Sequence, residues 1–214
     1  MAPLTMKAQA YEFALQVDRQ IEALSGDDYH LRVGRSKVLQ EELYPLSRLA
    51  LHFKQPGIEV EVEGFEDSGR ADGHIFVTGF RERAFEVQLT YADYGRNEKL
   101  RAELLVTQGF APGAGPIQRK RRNDPIVATM QAVDVGEHID RIASAAIERF
   151  RDKASKPYTQ GTVLLIAFDD VKLYGRWNWE QLLIKLEGEI ITSGTPFAEI
   201  YLFNGATNEL RRAA

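Results

Sequence analysis

Six consecutive apolar residues, Val163 to Phe168, stand between Gly161-Thr162 and Asp169-Asp170. A run of that length bounded by turn formers predicts a strand buried on both faces. It is far short of the roughly 20 residues that span a bilayer. A strand with two dry faces needs helices above and below its sheet, which points to an α/β layer architecture. The 214 residues suit a single domain, 1–214, long enough to bury a substantial core. The rest of the chain supplies the expected layers. Residues 7–24 carry Tyr11, Leu15, Val17, Ile21 and Leu24 at helical spacing. A second helix is predicted from about Ser36, its N-cap, to about Phe53, with Pro45 kinking or dividing it and Gln55-Pro56-Gly57 stopping it. These N-terminal helices fill 7–54. A long helix is predicted over 135–154, where Ile139, Ile142, Ala146, Ile147 and Phe150 form one stripe. Residues 177–186 suit a short helix and 197–203 a last strand.

Between the two helical ends the period changes. Residues 58–63 read Ile-Glu-Val-Glu-Val-Glu, strict alternation with one wet face. A turn over 64–69, a strand over 71–77, a turn over 78–82 and a strand over 84–92 follow. Three strands joined by short turns predict an antiparallel meander. A helix over about 94–106 comes next. The fold class expected is therefore α/β, a mixed central sheet (the antiparallel three-strand meander plus the later strands) flanked by helices. Residues 109–125, GFAPGAGPIQRKRRNDP, break every period and predict an exposed, mobile basic loop.

The chain contains no cysteine, which excludes disulfides, thiolate metal sites and thiol catalysis. Its first 13 residues hold no apolar segment of signal-peptide type, so a cytoplasmic protein without a membrane partner is expected. The net charge of −4 argues against a nonspecific nucleic-acid coat. Residues 54–67 alone hold five acids against one lysine, so this acidity belongs to one strand and its turn.

The third strand carries the chemistry. Phe85, Val87 and Leu89 share one face, and Glu86, Gln88 and Thr90 share the other. Asp72 stands one strand earlier, so its carboxylate and that of Glu86 can converge. Two carboxylates suit a hard dication such as Mg²⁺ or Mn²⁺, which polarises a phosphate and lowers the pKa of an attacking water.

An Asp on one strand and Glu-x-Lys on the next, preceded by a helix bearing a Glu, is the pattern of the PD-(D/E)xK nuclease superfamily, and this chain resembles it. Asp72 matches the first acid, Glu86 the second, and Gln88 the lysine position. Glu41 or Glu42 matches the acid of the leading helix. Ala71 stands where that family usually has proline, and Gln88 replaces the lysine cation. The topological likeness covers residues 36–170, the motif only 72–88. The resemblance implies a restriction-endonuclease-like fold and a Mg²⁺-dependent phosphodiesterase acting on DNA, of a defence, mobile-element or repair type. Asp72 and Glu86 would hold the metal, Gln88 would position water, and Glu42 would complete the site. The protein would work as a homodimer or as a subunit of a larger assembly. The alternative is a nuclease-like fold that no longer cuts and serves as a nucleic-acid or protein binding subunit. The plainest alternative makes Glu86, Gln88 and Thr90 the solvent face of a strand and Asp72-Gly73 a turn. Arg119, Lys120, Arg121 and Arg122 are the expected contacts to nucleic-acid phosphates, against a plain solvated loop.

Overall fold

The computed structural model describes residues 6–65, 71–80, 82–92, 95–113, 115–173 and 175–214. The first helix, α1, is Ala10–Glu22, and residues Met6–Gln9 ahead of it form a strand, β1. The expected helix start at residue 7 is therefore displaced. Lys7, Ala8 and Gln9 pair antiparallel with Glu63, Val62 and Glu61, and Lys7 meets Glu61 at 2.9 Å. Tertiary pairing has overridden local helical spacing. Ser25 caps a new helix, α2 (Gly26–Leu31), accepting from the Asp28 N–H at 3.1 Å.

The second predicted helix exists in three pieces. Helix α3 (Arg35–Val38) runs into a π-helical turn, Leu39–Leu43, and then into α4 (Tyr44–Phe53). Ser36 lies inside α3 and donates to the Asp28 carbonyl, so it is not the cap; Gly34 is. The division at Pro45 has a clear cause. Proline offers no N–H to the Glu41 carbonyl, and the Tyr44 N–H reaches back five residues to Leu39 O. Turns of this kind shift the phase of the residues they carry, here Glu41 and Glu42.

The meander is β2 (Glu59–Gly64), β3 (Gly73–Thr78) and β4 (Arg83–Tyr91). Most of the turn expected at 64–69 lies outside the described residues, as do Arg81 and Tyr94. Helix α5 is Arg96–Gln108. The expected irregular loop contains a two-stranded ribbon, β5 (Ile117–Gln118) and β6 (Val127–Ala128). Helix α6 (Val135–Ala154), strand β7 (Val163–Phe168), helix α7 (Arg176–Ser193) and strand β8 (Glu199–Asn204) follow, with a further edge strand β9 (Glu209–Arg212) that closes the chain.

The seven-stranded sheet has the order β1-β2-β3-β4-β7-β8-β9. Strands β4, β7 and β8 are parallel and their neighbours antiparallel. The strand predicted to be dry on both sides is so: Val163, Leu165 and Ala167 join one core with α1 and α4, while Leu164, Ile166 and Phe168 join another with α6 and α7. Truncating Leu164, Leu165, Ile166 or Phe168 to alanine would cost about 2–5 kcal/mol. No helix among the described residues is long and apolar enough to cross a membrane.

Two glycines set the distance between sheet and α4. Gly64 and Gly73 are paired across β2 and β3. A Cβ on Gly73 would fall 2.5 Å from Leu46 Cδ2, and one on Gly64 would fall 2.8 Å from Leu43 Cδ2. The missing side chains let the π-helical turn settle against the sheet beside Asp72.

Candidate functional site

Strand β4 outruns β3. Their pairing ends at Val87 and Gly73, while β4 continues along β7 as far as Tyr91. Residues 88–91 thus lack a strand on one side, and a cleft of about 260 Å³ opens there. Lys37, Glu41 and Glu42 line it from one helical layer, Arg149 of α6 from the other, and Asp72, Leu89, Thr90 and Tyr91 from the sheet. Strand ends of this kind leave backbone groups that side chains must satisfy. Asp72 does so: its N–H donates to Val87 O at 3.0 Å, and its Oδ2 accepts from the Leu89 N–H at 2.6 Å. Asp72-Gly73 is therefore a strand entry and not turn chemistry.

Lys153, one turn beyond Arg149 on α6, reaches the same carboxylate. Its Nζ lies 3.6 Å from Asp72 Oδ2 and donates to Gln88 Oε1 at 3.1 Å. Gln88 is buried, 5% exposed. Glu42 faces this group electrostatically. Burial, and next the Asp72 charge, hold the Glu42 carboxyl above the usual carboxylate range, with Lys37 and Lys153 pulling the other way. Burial and the Asp72 charge also raise the Tyr158 phenol.

The far wall is braced. Arg32 donates to Tyr91 Oη at 2.8 Å and pairs with Asp169 at the end of β7. Arg149 Nε donates to Tyr91 O at 3.1 Å. Burial drives the Tyr91 phenol well above its ordinary value, helped by Asp169. Asp170 serves a turn: its Oδ1 accepts from the Lys172 and Leu173 N–H groups at 2.7 and 2.8 Å, and its Oδ2 meets His138. A larger groove of about 570 Å³ between α6 and the start of α5 shares Arg149 but is lined by Glu137, Asp140, Arg141 and Glu148 along one helix.

The sequence-derived residues divide. Asp72, Gln88 and Glu42 come together. Glu86 does not line the cleft. It sits opposite His74, two residues before Gln88 along β4, and one pleat repeat carries it about 6.7 Å back from the cleft end. Glu41 lines the cleft and lies 3.8 Å from Lys37 on its own helical segment. Sequence reasoning does not find Lys153, because a cation 65 residues downstream leaves no spacing signal; the one available hint is the amide at Gln88, a neutral partner in a place that suits a charge. Among the described residues no three acidic or histidine side chains group as a metal cage. The pair Asp72 and Glu42 nevertheless fits Mg²⁺, which keeps several waters and needs only one or two carboxylates. A dication relieves the repulsion between two acids that share a cleft.

No residue of the basic run lines this cleft. Arg119 is held by Glu103 of α5, Nη1 to Oε2 at 3.0 Å, while Lys120, Arg121 and Arg122 are exposed. No family model, curated protein or solved structure matches the chain.

Proposed function

We infer that the protein is a Mg²⁺-dependent phosphodiesterase acting on DNA, with a restriction-endonuclease-like arrangement of its acids. The observation that supports this most is the convergence of Asp72, Glu42 and Lys153 from three separate elements at the point where β4 outruns β3. Asp72 and Glu42 hold the cation, and Glu86 is left one pleat behind it. A bound Mg²⁺ supplies charge neutralisation at the phosphate and a lower pKa for attacking water. Lys153 takes the part of the strand lysine that Gln88 replaces. Its ammonium, steadied by the Gln88 amide oxygen, stabilises charge that develops on the phosphate. Lys37 and Arg149 at the cleft wall orient the backbone on either side of the scissile bond.

One observation favours a second reading, a nuclease-like fold that binds without cutting. Asp72 Oδ2 is already engaged by the Leu89 N–H and lies beside Lys153, so the carboxylate is satisfied by the protein alone. Plasmid cleavage in Mg²⁺ or Mn²⁺ separates the two. Nicking that is lost in Asp72→Asn and Lys153→Met supports the enzyme. A parent that leaves every DNA substrate intact, or variants that cut as the parent does, overturns it.

A further inference from the structure

The four-residue cation run is not a loose loop. Helix α5 carries a small satellite structure in which Leu100 and Leu104 pack on Ile117, with Ala111, Ile126 and Ala128 around them. Arg101 ties the connection down, donating to Gly115 O at 2.7 Å and to Pro112 O. The ribbon β5–β6 stands on this base, with the Arg119 guanidinium strutted against Glu103. At its tip the Arg121 N–H donates to Asp124 Oδ2 at 3.1 Å and the Asp124 N–H returns to Arg121 O at 3.0 Å. The one acid of the tip is thereby drawn into the turn, and Lys120, Arg121 and Arg122 are left exposed on a defined scaffold.

We propose that the β5–β6 ribbon is a wing that grips the phosphate backbone of duplex DNA through Lys120, Arg121 and Arg122, with Arg119 acting only as a strut. The proposal rests on the phosphodiesterase reading for its choice of nucleic acid. Three cations concentrated on a chain of net charge −4 single out a polyanion as the partner. A fixed turn loses less conformational freedom on binding than a free loop. The two-stranded ribbon, with strands about 4.8 Å apart, fits the roughly 12 Å major groove of B-DNA and is kept out of the deep, narrow major groove of A-form RNA. The wing adds hold on the substrate and takes no part in bond cleavage.

The test uses the full chain carrying Asp72→Asn, without metal, so that binding is read apart from cleavage. Into it go Lys120→Gln, Arg121→Gln and Arg122→Gln together. Three phosphate contacts contribute a log–log salt slope of about −2.7, or about 40-fold in affinity for duplex DNA between 50 and 200 mM salt. The triple variant is expected to lose that share of the salt dependence, with little change on duplex RNA. In the cleaving protein it is expected to raise KM and spare kcat. An unchanged slope on duplex DNA, or an equal loss on duplex RNA, overturns the wing. Should the parent bind through these residues yet never cut, the wing stands and the phosphodiesterase reading falls. Should the triple variant cut with the parent's KM, only the wing falls.

Discussion

The Lys153 ammonium donates to the Gln88 amide at 3.1 Å, joining the last turn of α6 to the middle of β4. This contact puts a cation beside Asp72 although β4 itself has a neutral amide at position 88. It also gives Gln88 a definite role, since its oxygen accepts from the ammonium without competing with Asp72 for charge.

Lys153→Met should therefore depress single-turnover cleavage by about 100-fold or more, with Lys153→Arg retaining part of the rate. Gln88→Lys would place a second ammonium against the first, so that variant should be slower than the parent. Quenched-flow cleavage of a labelled duplex checks both.

Asp72 has a structural duty besides the chemical one proposed for it. Asp72→Asn keeps an oxygen for the Leu89 N–H and should fold with near-parent stability while losing metal affinity. Asp72→Ala leaves that buried donor without its partner and should cost about 1–3 kcal/mol. Urea denaturation of the two variants side by side measures the difference.

Glu42 predicts a pH dependence. Its folded pKa lies above the ordinary value of 4.5 because of burial and the Asp72 charge. The folded state then binds the proton more tightly than the unfolded state, so this group's contribution to stability falls as pH rises from 4.5 through the raised folded value. Glu42→Gln should stabilise the metal-free protein at neutral pH and leave it unchanged well below 4.5. Mn²⁺ affinity of the parent should rise over the same window, since the metal takes the deprotonated carboxylate. Denaturation at acid and neutral pH and Mn²⁺ titration read the two effects.

The turn after β7 offers a control at a residue that does not line the cleft. Asp170 is buried and accepts from two backbone N–H groups and His138. Asp170→Ala should destabilise the fold by about 2–4 kcal/mol, with any residual cleavage at low temperature close to the parent rate.

Patterns with a local physical cause were readable from the chain itself. The apolar run at 163–168 required a doubly covered strand, the stripe at 135–154 required α6, and alternation at 58–63 required a half-wet strand. Each follows from side-chain period against burial. Strand β1 was not readable, because residues 6–9 have no strand signal of their own and form one only against the edge of β2. The ribbon β5–β6 was hidden by glycines and prolines that Arg101 of the preceding helix fastens and that Arg119 ties back to Glu103. At the site, Asp72 and Gln88 could be named from the motif, and the leading-helix acid only as Glu41 or Glu42. The preference for Glu42 over Glu86 as the proposed second acid, and for Lys153 as the proposed cation, rests on the tertiary structure. Those two depend on where β3 stops short of β4 and on how closely the Gly64–Gly73 pair lets the π-helical turn approach, distances that arise only when separate elements pack.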